Sequence, residues 1–281
     1  MESSSPVLSA RRDSQRIAEI FRTQMHSSLQ RHPPFKIGQE EINAHFDGMP
    51  VRYWERVDEE ELTWGLEVVH KFLVQINDPA SQTNLPVLDW RHCPERGFTT
   101  VLLCTWDRQG LLAKAAAAFS ATKVNILSAD AYTRKDHIVL DVFRVCNTEH
   151  GSITDTERLR QMLFLLEGAL FEPPRFASMW ALSAHKYHPR KTLPVVNISW
   201  DHERSAEHTI LAVETNDRIG LLYDILQTLA DAGINVAQAI IDTDDDIATD
   251  TFYLTDTQGG KITDPARLGS IKDLLTAAIK D

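Results

Sequence analysis

Apolar residues follow two different patterns along the chain. In the first 84 residues they recur at helical spacing. Ile17, Phe21, Met25 and Leu29 repeat every four residues, while Leu62, Leu66, Val69, Leu73 and Ile76 alternate steps of four and three. Each set predicts a helix with one apolar face. Asp58, with Glu61 three residues on, resembles a capping box opening the second helix. Between the two lie Pro33-Pro34 and a compact segment from Phe46 to Trp54. Helices of this kind need a surface on which to bury their stripes. Packing on the rest of the chain is the expectation, with a free docking platform as the alternative.

Further on the pattern alternates. Val195 to Trp200 is a short extended run, and Thr209–Thr215 is a β-rich alternating strand. Asn216 to Gly220 predicts a turn. Leu221, Leu222, Ile225, Leu226 and Leu229 predict a helix, ended by Asp231-Ala232-Gly233 with Gly233 left-handed. Val236–Thr243 and Ile247–Leu254 read as strands joined by the acidic turn Asp244 to Asp246. Asp264 caps a last helix with Pro265 at its first position, and Leu268, Ile271, Leu274 and Leu275 form its buried stripe. The order is ββαββα, an antiparallel sheet with two helices on one face.

The same unit occurs twice. At an offset of 110, Thr99, Thr105, Asp107, Arg108, Gly110, Leu111, Leu112, Asn125, Ala129 and Thr133 meet identical residues from Thr209 to Thr243. The offset then becomes 109. Asp141, Phe143, Thr148, Gly151, Ile153, Thr154, Asp155, Arg158 and Leu159 meet Asp250, Phe252, Thr257, Gly260, Ile262, Thr263, Asp264, Arg267 and Leu268. So ordered a set indicates duplication. The expected organisation is a helical N-terminal region (1–84), a first repeat (85–170), a linker (171–192) with Pro173-Pro174 and Pro189, and a second repeat (193–281). Repeat one departs from repeat two in three places. Trp106 stands for Asn216, Lys123 stands for Gly233, and Ala115–Ala118 make a slimmer helix that permits a close neighbour.

Charge and cysteine content narrow the function. Lys plus Arg is 29 and Asp plus Glu is 40, a formal charge of −11. That disfavours wrapping nucleic acid. Cys93, Cys104 and Cys146 cannot build a disulfide framework and contain no CxxC pair, which fits a reducing compartment. No apolar run approaches the ~20 residues that span a bilayer. The start Met-Glu-Ser-Ser-Ser-Pro lacks the marks of a secretory signal. A cytoplasmic protein without membrane contact is expected.

The turn at the head of each repeat's first helix can bind an amino acid. A helix N-terminus offers N–H groups to a carboxylate, a nearby Asp can pair with an ammonium, and Gly lets the backbone approach closely. The candidate ligand residues are Asn216, Asp217, Arg218, Gly220, Leu221 and Asn235, with Asp107, Arg108, Gly110, Leu111 and Asn125 in repeat one. The plain alternative for Asp107 and Asp217 is a helix cap, and for Arg108 and Arg218 a solvated side chain. His92-Cys93 is too small a set for zinc. Asp242, Asp244 and Asp246 lack the Gly and distal Glu of a calcium loop. No nucleophile motif occurs. No metal, cofactor or catalytic residue is expected, and Cys104 and Cys146 read as buried inert thiols in strands.

Asp-Arg-x-Gly-Leu-Leu, then Asn-(Ile/Val), Asp-x-Phe and Ile-Thr-Asp, resembles the ACT domain. The pair, with Met49-Pro50-Val51-Arg52-Tyr53-Trp54 before it, resembles the C-terminal regulatory region of the bifunctional PII-protein uridylyltransferase/uridylyl-removing enzyme over about residues 40–281. The resemblance implies an α+β fold of two ACT-like (ferredoxin-like) domains. It also implies a regulatory role in nitrogen control with glutamine as ligand. That family's nucleotidyltransferase carries Gly-Ser followed within about a dozen residues by a metal-binding Asp-x-Asp. Gly151-Ser152 and Gly269-Ser270 have none, and no His-Asp dipeptide for the hydrolase occurs. The expectation is therefore a non-enzymatic amino-acid sensor that acts on a protein partner or on its own oligomer through sheet pairing. The rivals are an interaction module with vestigial sites and a regulatory subunit of a separately encoded enzyme.

Overall fold

The computed structural model describes residues 6–34, 36–78, 85–149, 151–171, 196–218, 220–244 and 247–280. Apart from residue 171, the expected linker lies outside them, as do Ile219, Asp245 and Asp246. In chain order the helices are α1 (Pro6–Arg31), α2 (Gln39–Gly48), α3 (Val51–Trp54), α4 (Glu59–Asn77), α5 (Leu111–Ala121), α6 (Thr156–Phe171), α7 (Leu221–Asp231) and α8 (Pro265–Lys280). The strands are β1 (Val87–Cys93), β2 (Phe98–Trp106), β3 (Asn125–Thr133), β4 (Ile138–Cys146), β5 (Val196–Asp201), β6 (Thr209–Asn216), β7 (Ile234–Ile240), β8 (Thr243–Asp244) and β9 (Ile247–Asp256). The chain divides into two compact units. One comprises residues 1–89, 102–107 and 132–141, and the other 90–101, 108–131 and 142–281.

The first unit joins α1–α4 to strand segments of repeat one. The Asp58 side chain accepts from the Glu61 amide at 2.8 Å, opening α4 as its spacing predicts. Leu62, Leu66 and Val69 are buried, as are Trp64, Val68 and Phe72. Leu73 and Ile76 are only half-buried. In α1 the buried residues are Ala18, Met25 and Leu29, while Ile17 is 66% exposed. A step of four overshoots a helical turn by about 40°, so a series of four such residues drifts off the buried face. Tyr53 meets Tyr132 edge-on at 5.1 Å and Phe72 meets Trp106 at 5.6 Å. The helices from α3 to α4 therefore pack on the chain's own strands, α1 packs on α2 and α3, and Trp106 is a packing residue at the end of β2.

The strands of both repeats follow the order β1-β2-β4-β3-β7-β9-β6-β5, with β8 paired to β9, and β5 to β9 all lie in the second unit. The two repeats meet at an antiparallel seam between β3 and β7, where Ser128 faces Ile240, Ala129 faces Ala239 and Asp130 faces Gln238. Ala129 and Ala239 are repeat equivalents, so the seam pairs the same position of both repeats about a local twofold, as an isologous dimer interface would. The two sheets thus pair side by side within one chain. Helix α5 packs against α6 and α7. Ala117 is fully buried with Ala169, and Tyr223 packs on the pair. The slim alanine face does admit a close neighbour.

Three expectations shift. β7 begins at Ile234 and ends at Ile240 rather than spanning 236–243. Gly233, at φ 68, turns the chain straight into the sheet, and Thr243–Asp244 form the separate β8. In α8 the stripe is Ile271, Leu275 and Ile279, while Leu274 is 50% exposed. Ile271, Leu275 and Ile279 stay within an arc of about 80°, and Leu274 falls about 60° to the other side of Ile271. Lys123 adopts φ 58, the conformation of its counterpart Gly233, so this sequence difference leaves the backbone path unchanged.

Candidate functional site

In repeat two, β6 delivers the chain into a tight turn. Gly220, at φ 87, occupies the N-cap position of α7 and has no side chain with which to cap it. The Leu221 amide bonds to the Arg218 carbonyl at 3.1 Å and the Asp224 amide to the Gly220 carbonyl at 2.9 Å. The residue at the N-cap position is therefore Gly220 rather than Asp217. Repeat one matches it. Gly110 has φ 70 with no side-chain cap, and Leu111 N bonds to Arg108 O at 3.2 Å. The Asp107 amide donates to the His137 carbonyl at 2.8 Å.

Arg218 is not a solvated side chain. Its guanidinium bonds to Asp224 Oδ2 at 2.6 Å and to the Ala278 carbonyl at 2.9 Å, tying the turn to α7 and to the end of α8. The repeat-one turn is held differently. Gln109 Nε2 donates to the Ala230 carbonyl at the end of α7, at 2.9 Å, and a Cβ on Gly110 would lie 3.8 Å from Ala230 and Gln227.

Residues 197–280 match the family described as "ACR9-like, ACT-like domain". Repeat two is an ACT-like domain. Among curated relatives, the bifunctional uridylyltransferase/uridylyl-removing enzyme of Rhodospirillum rubrum is 32% identical over 197 residues, 66% of this chain and 20% of that protein. The enzyme of the same name from Zymomonas mobilis is 29% identical over 234 residues, 82% of this chain and 24% of the relative. The counterpart from Nitrobacter winogradskyi is 26% identical over 236 residues, 84% and 25%. The chain spans about a fifth of the length of the first of these. The chain thus carries an ACT-like domain at 197–280 and a helical N-terminal region, and it is similar to part of those enzymes.

The ACT-like turns do not gather all the expected residues. Asn216 faces Ile247 at the start of β9, whereas Asn235 faces Thr255 near its end. At about 3.4 Å per residue, Asn235 stands more than 20 Å along the strand from the Asp217 turn. Its amide bonds to the Asp256 carbonyl at 3.3 Å. The seam exchanges the two asparagines. The Ile241 amide bonds to the Leu127 carbonyl at 3.0 Å, which carries Asn125, at the head of β3, towards the start of β9, where Asn216 lies. Antiparallel pairing of identical units puts the start of each seam strand beside the other's finish.

The sequence reading passed over two groups. One is Gln109, whose bond crosses between repeats. The other is a pair of buried aspartates, Asp141 and Asp250, 2% and 1% exposed. Their signal was present, because they are identical between repeats and interrupt apolar strands. Asp250 is pushed up to about 7, first by burial and then by the Asp217 and Asp242 charges, against a lowering bond from the Asp242 amide. Cys104 and Cys146 are buried, and burial raises both thiols. Among the described residues, no cluster of His, Cys, Asp and Glu is suited to a metal ion, and no helix is long and apolar enough to cross a membrane.

Proposed function

We propose that this chain is a regulatory, non-catalytic protein that binds a small α-amino acid at the Asn216–Leu221 turn, with glutamine favoured by resemblance to the uridylyltransferase/uridylyl-removing enzymes and nitrogen control as the setting. The observation that carries the reading is the glycine at the N-cap of α7. Gly220 carries no side chain and holds a left-handed conformation, so a ligand carboxylate can approach the helix N-terminus. Asp217 is half-buried beside it and supplies negative charge for the ammonium. Arg218, anchored to Ala278, steadies the turn.

A thermal-shift screen of the twenty amino acids tests this directly. A ligand that binds only the folded state adds about 2.7 kcal/mol at a hundredfold excess over Kd, a shift of several degrees in a protein of this size. No shift with any amino acid at millimolar concentration would end the reading. Repeat one favours the rival of a vestigial site more than repeat two does, because Gln109 already fastens its turn to α7. Co-purification of a catalytic chain from the native cell would instead support a subunit of a larger enzyme.

A further inference from the structure

His45, in α2 of the first unit, is fully buried. Its ring is boxed edge-on by Tyr53 at 5.4 Å, Trp54 at 6.3 Å and Phe46 at 6.4 Å. Nε2 lies 3.3 Å from the Tyr53 hydroxyl, whereas Nδ1 is buried without a hydrogen-bond partner. A neutral imidazole leaves one acceptor unmet in this box. An imidazolium carries a proton on both nitrogens, so it would leave a donor unmet together with a full charge, which costs far more.

The hairpin between β3 and β4 closes the other side. The Lys135 amide donates to the Gly48 carbonyl at the end of α2, at 3.1 Å. The Arg134 side chain, 3% exposed, runs past Gly48, where a Cβ would lie 3.5 Å from its Nε. Asp136 accepts from that guanidinium at 2.7 and 3.0 Å. Burial first, and then the Arg134 charge, hold His45 down at about 3. The remaining titratable groups on the surrounding elements are engaged elsewhere or lie in solvent. Arg22 of α1 donates to the Phe46 carbonyl at 2.9 Å. His70 of α4 meets Glu41 Oε2 at 2.8 Å. Burial raises the Tyr53 hydroxyl and keeps it neutral, and Lys135 and His137 are exposed.

We propose that His45 is an acid-sensitive latch of the helical region: a proton on its buried ring releases α2 and α3 from the Arg134–His137 hairpin and opens the first unit, while the strands of repeat two stay folded. The hairpin also carries the His137 carbonyl that accepts the Asp107 amide at 2.8 Å, so the opening reaches the turn of repeat one. The sign follows from where the proton binds. The folded ring holds it less tightly than the free ring, so the opened unit takes it up. The stability that His45 supplies is whole above about 6.5 and is lost as pH falls from there towards about 3.

Hydrogen exchange of the full chain between about pH 7 and pH 5 tests the latch. After correction for intrinsic exchange, the opening constant of amides in α2–α4 should rise as pH falls, approaching about tenfold per unit once the free ring is protonated. Amides of β6 and β9 should not follow. His45→Gln still offers an amide to Tyr53 but takes no proton, and should lose most of that slope, while His70→Gln keeps it. No slope in the wild type, an equal slope in His45→Gln, or a slope that vanishes in His70→Gln instead would overturn the proposal. Nitrogen NMR of the wild-type imidazoles decides the matter if His45→Gln does not fold. The His45 ring should remain neutral in the folded protein down to about pH 5, and a ring that titrates there near its ordinary value would overturn the latch.

Discussion

Asp250 and Asp256 sit in the same repeat and respond to pH in opposite ways. Asp250 is raised by burial and by its acidic neighbours. Its folded form prefers the proton, so the protein loses stability as pH rises from about 4 to 7 and stays at the lower level above. Asp250→Asn removes this dependence. Without ligand, the wild type should fall behind Asp250→Asn across that window by roughly 1.4 kcal/mol per pH unit at most, read from denaturant unfolding at each pH. Asp256 is lowered, chiefly by the Gly260 and Gln258 amides. Its contribution is complete above the ordinary carboxylate range and is lost as pH falls through its depressed value. Asn147 accepts the equivalent bonds from Glu149 and Gly151 in repeat one. Asp256→Asn should therefore fold normally and lose the acid sensitivity of that turn, whereas Asp256→Ala should be less stable at every pH. Gly220→Ala would place a side chain at φ 87 and should cost about 1 kcal/mol or more. An unchanged melting temperature would show that the turn can relax.

Elements are held by contacts whose size can be weighed. In α4, a Cβ at Gly65 would lie 3.1 Å from Leu140 Cδ2 and 3.3 Å from Tyr53 Oη. Alanine favours the helix by about 1 kcal/mol, but crowding in a packed core costs about 1–3 kcal/mol. Gly65→Ala should come out destabilising, by about 1 kcal/mol in chemical denaturation. A stabilised variant would mean that α4 can lift off its strands at little cost. The strand-to-helix joints are duplicated in detail. The Thr99 hydroxyl accepts from the Ile153 amide at 2.9 Å, and Thr209 does the same with Ile262 at 3.0 Å. These positions matched in the sequence because each holds the same backbone joint.

The seam carries the expectation at the scale of the molecule. Each repeat is under 90 residues and alone has a modest core. β3 and β7 remove one open edge from each half-sheet. Residues 193–281 expressed alone would expose the β7 edge and should self-associate, with a second copy replacing β3. Sedimentation velocity checks this, and a stable, cooperatively folded monomer at high concentration would contradict it. In the full chain, Ala239→Arg would bring a long charged side chain against the buried Ala129 and should destabilise by several kcal/mol. The proposed regulatory role also predicts no nucleotide transfer to a PII-type protein by the purified chain, measured with labelled nucleotide.

What the sequence determined by itself was short in range. The duplication, the left-handed Gly233, the Asp58 cap and the Asp264-Pro265 start depend on residues within a few positions of one another, where spacing and backbone sterics suffice. Tertiary structure decided the rest. Ile17 and Leu274 are apolar yet exposed, because the buried face depends on where neighbouring elements stand. Arg218 reaches a carbonyl sixty residues away. Asn125 and Asn235 change ends because the strands pair antiparallel across the seam. Asp141 and Asp250 are the same residue at the same repeat position, but the charges that act on each come from other segments of the chain. Burial and long-range Coulomb interactions set the chemistry of such a group, and neither can be read from its neighbours in sequence.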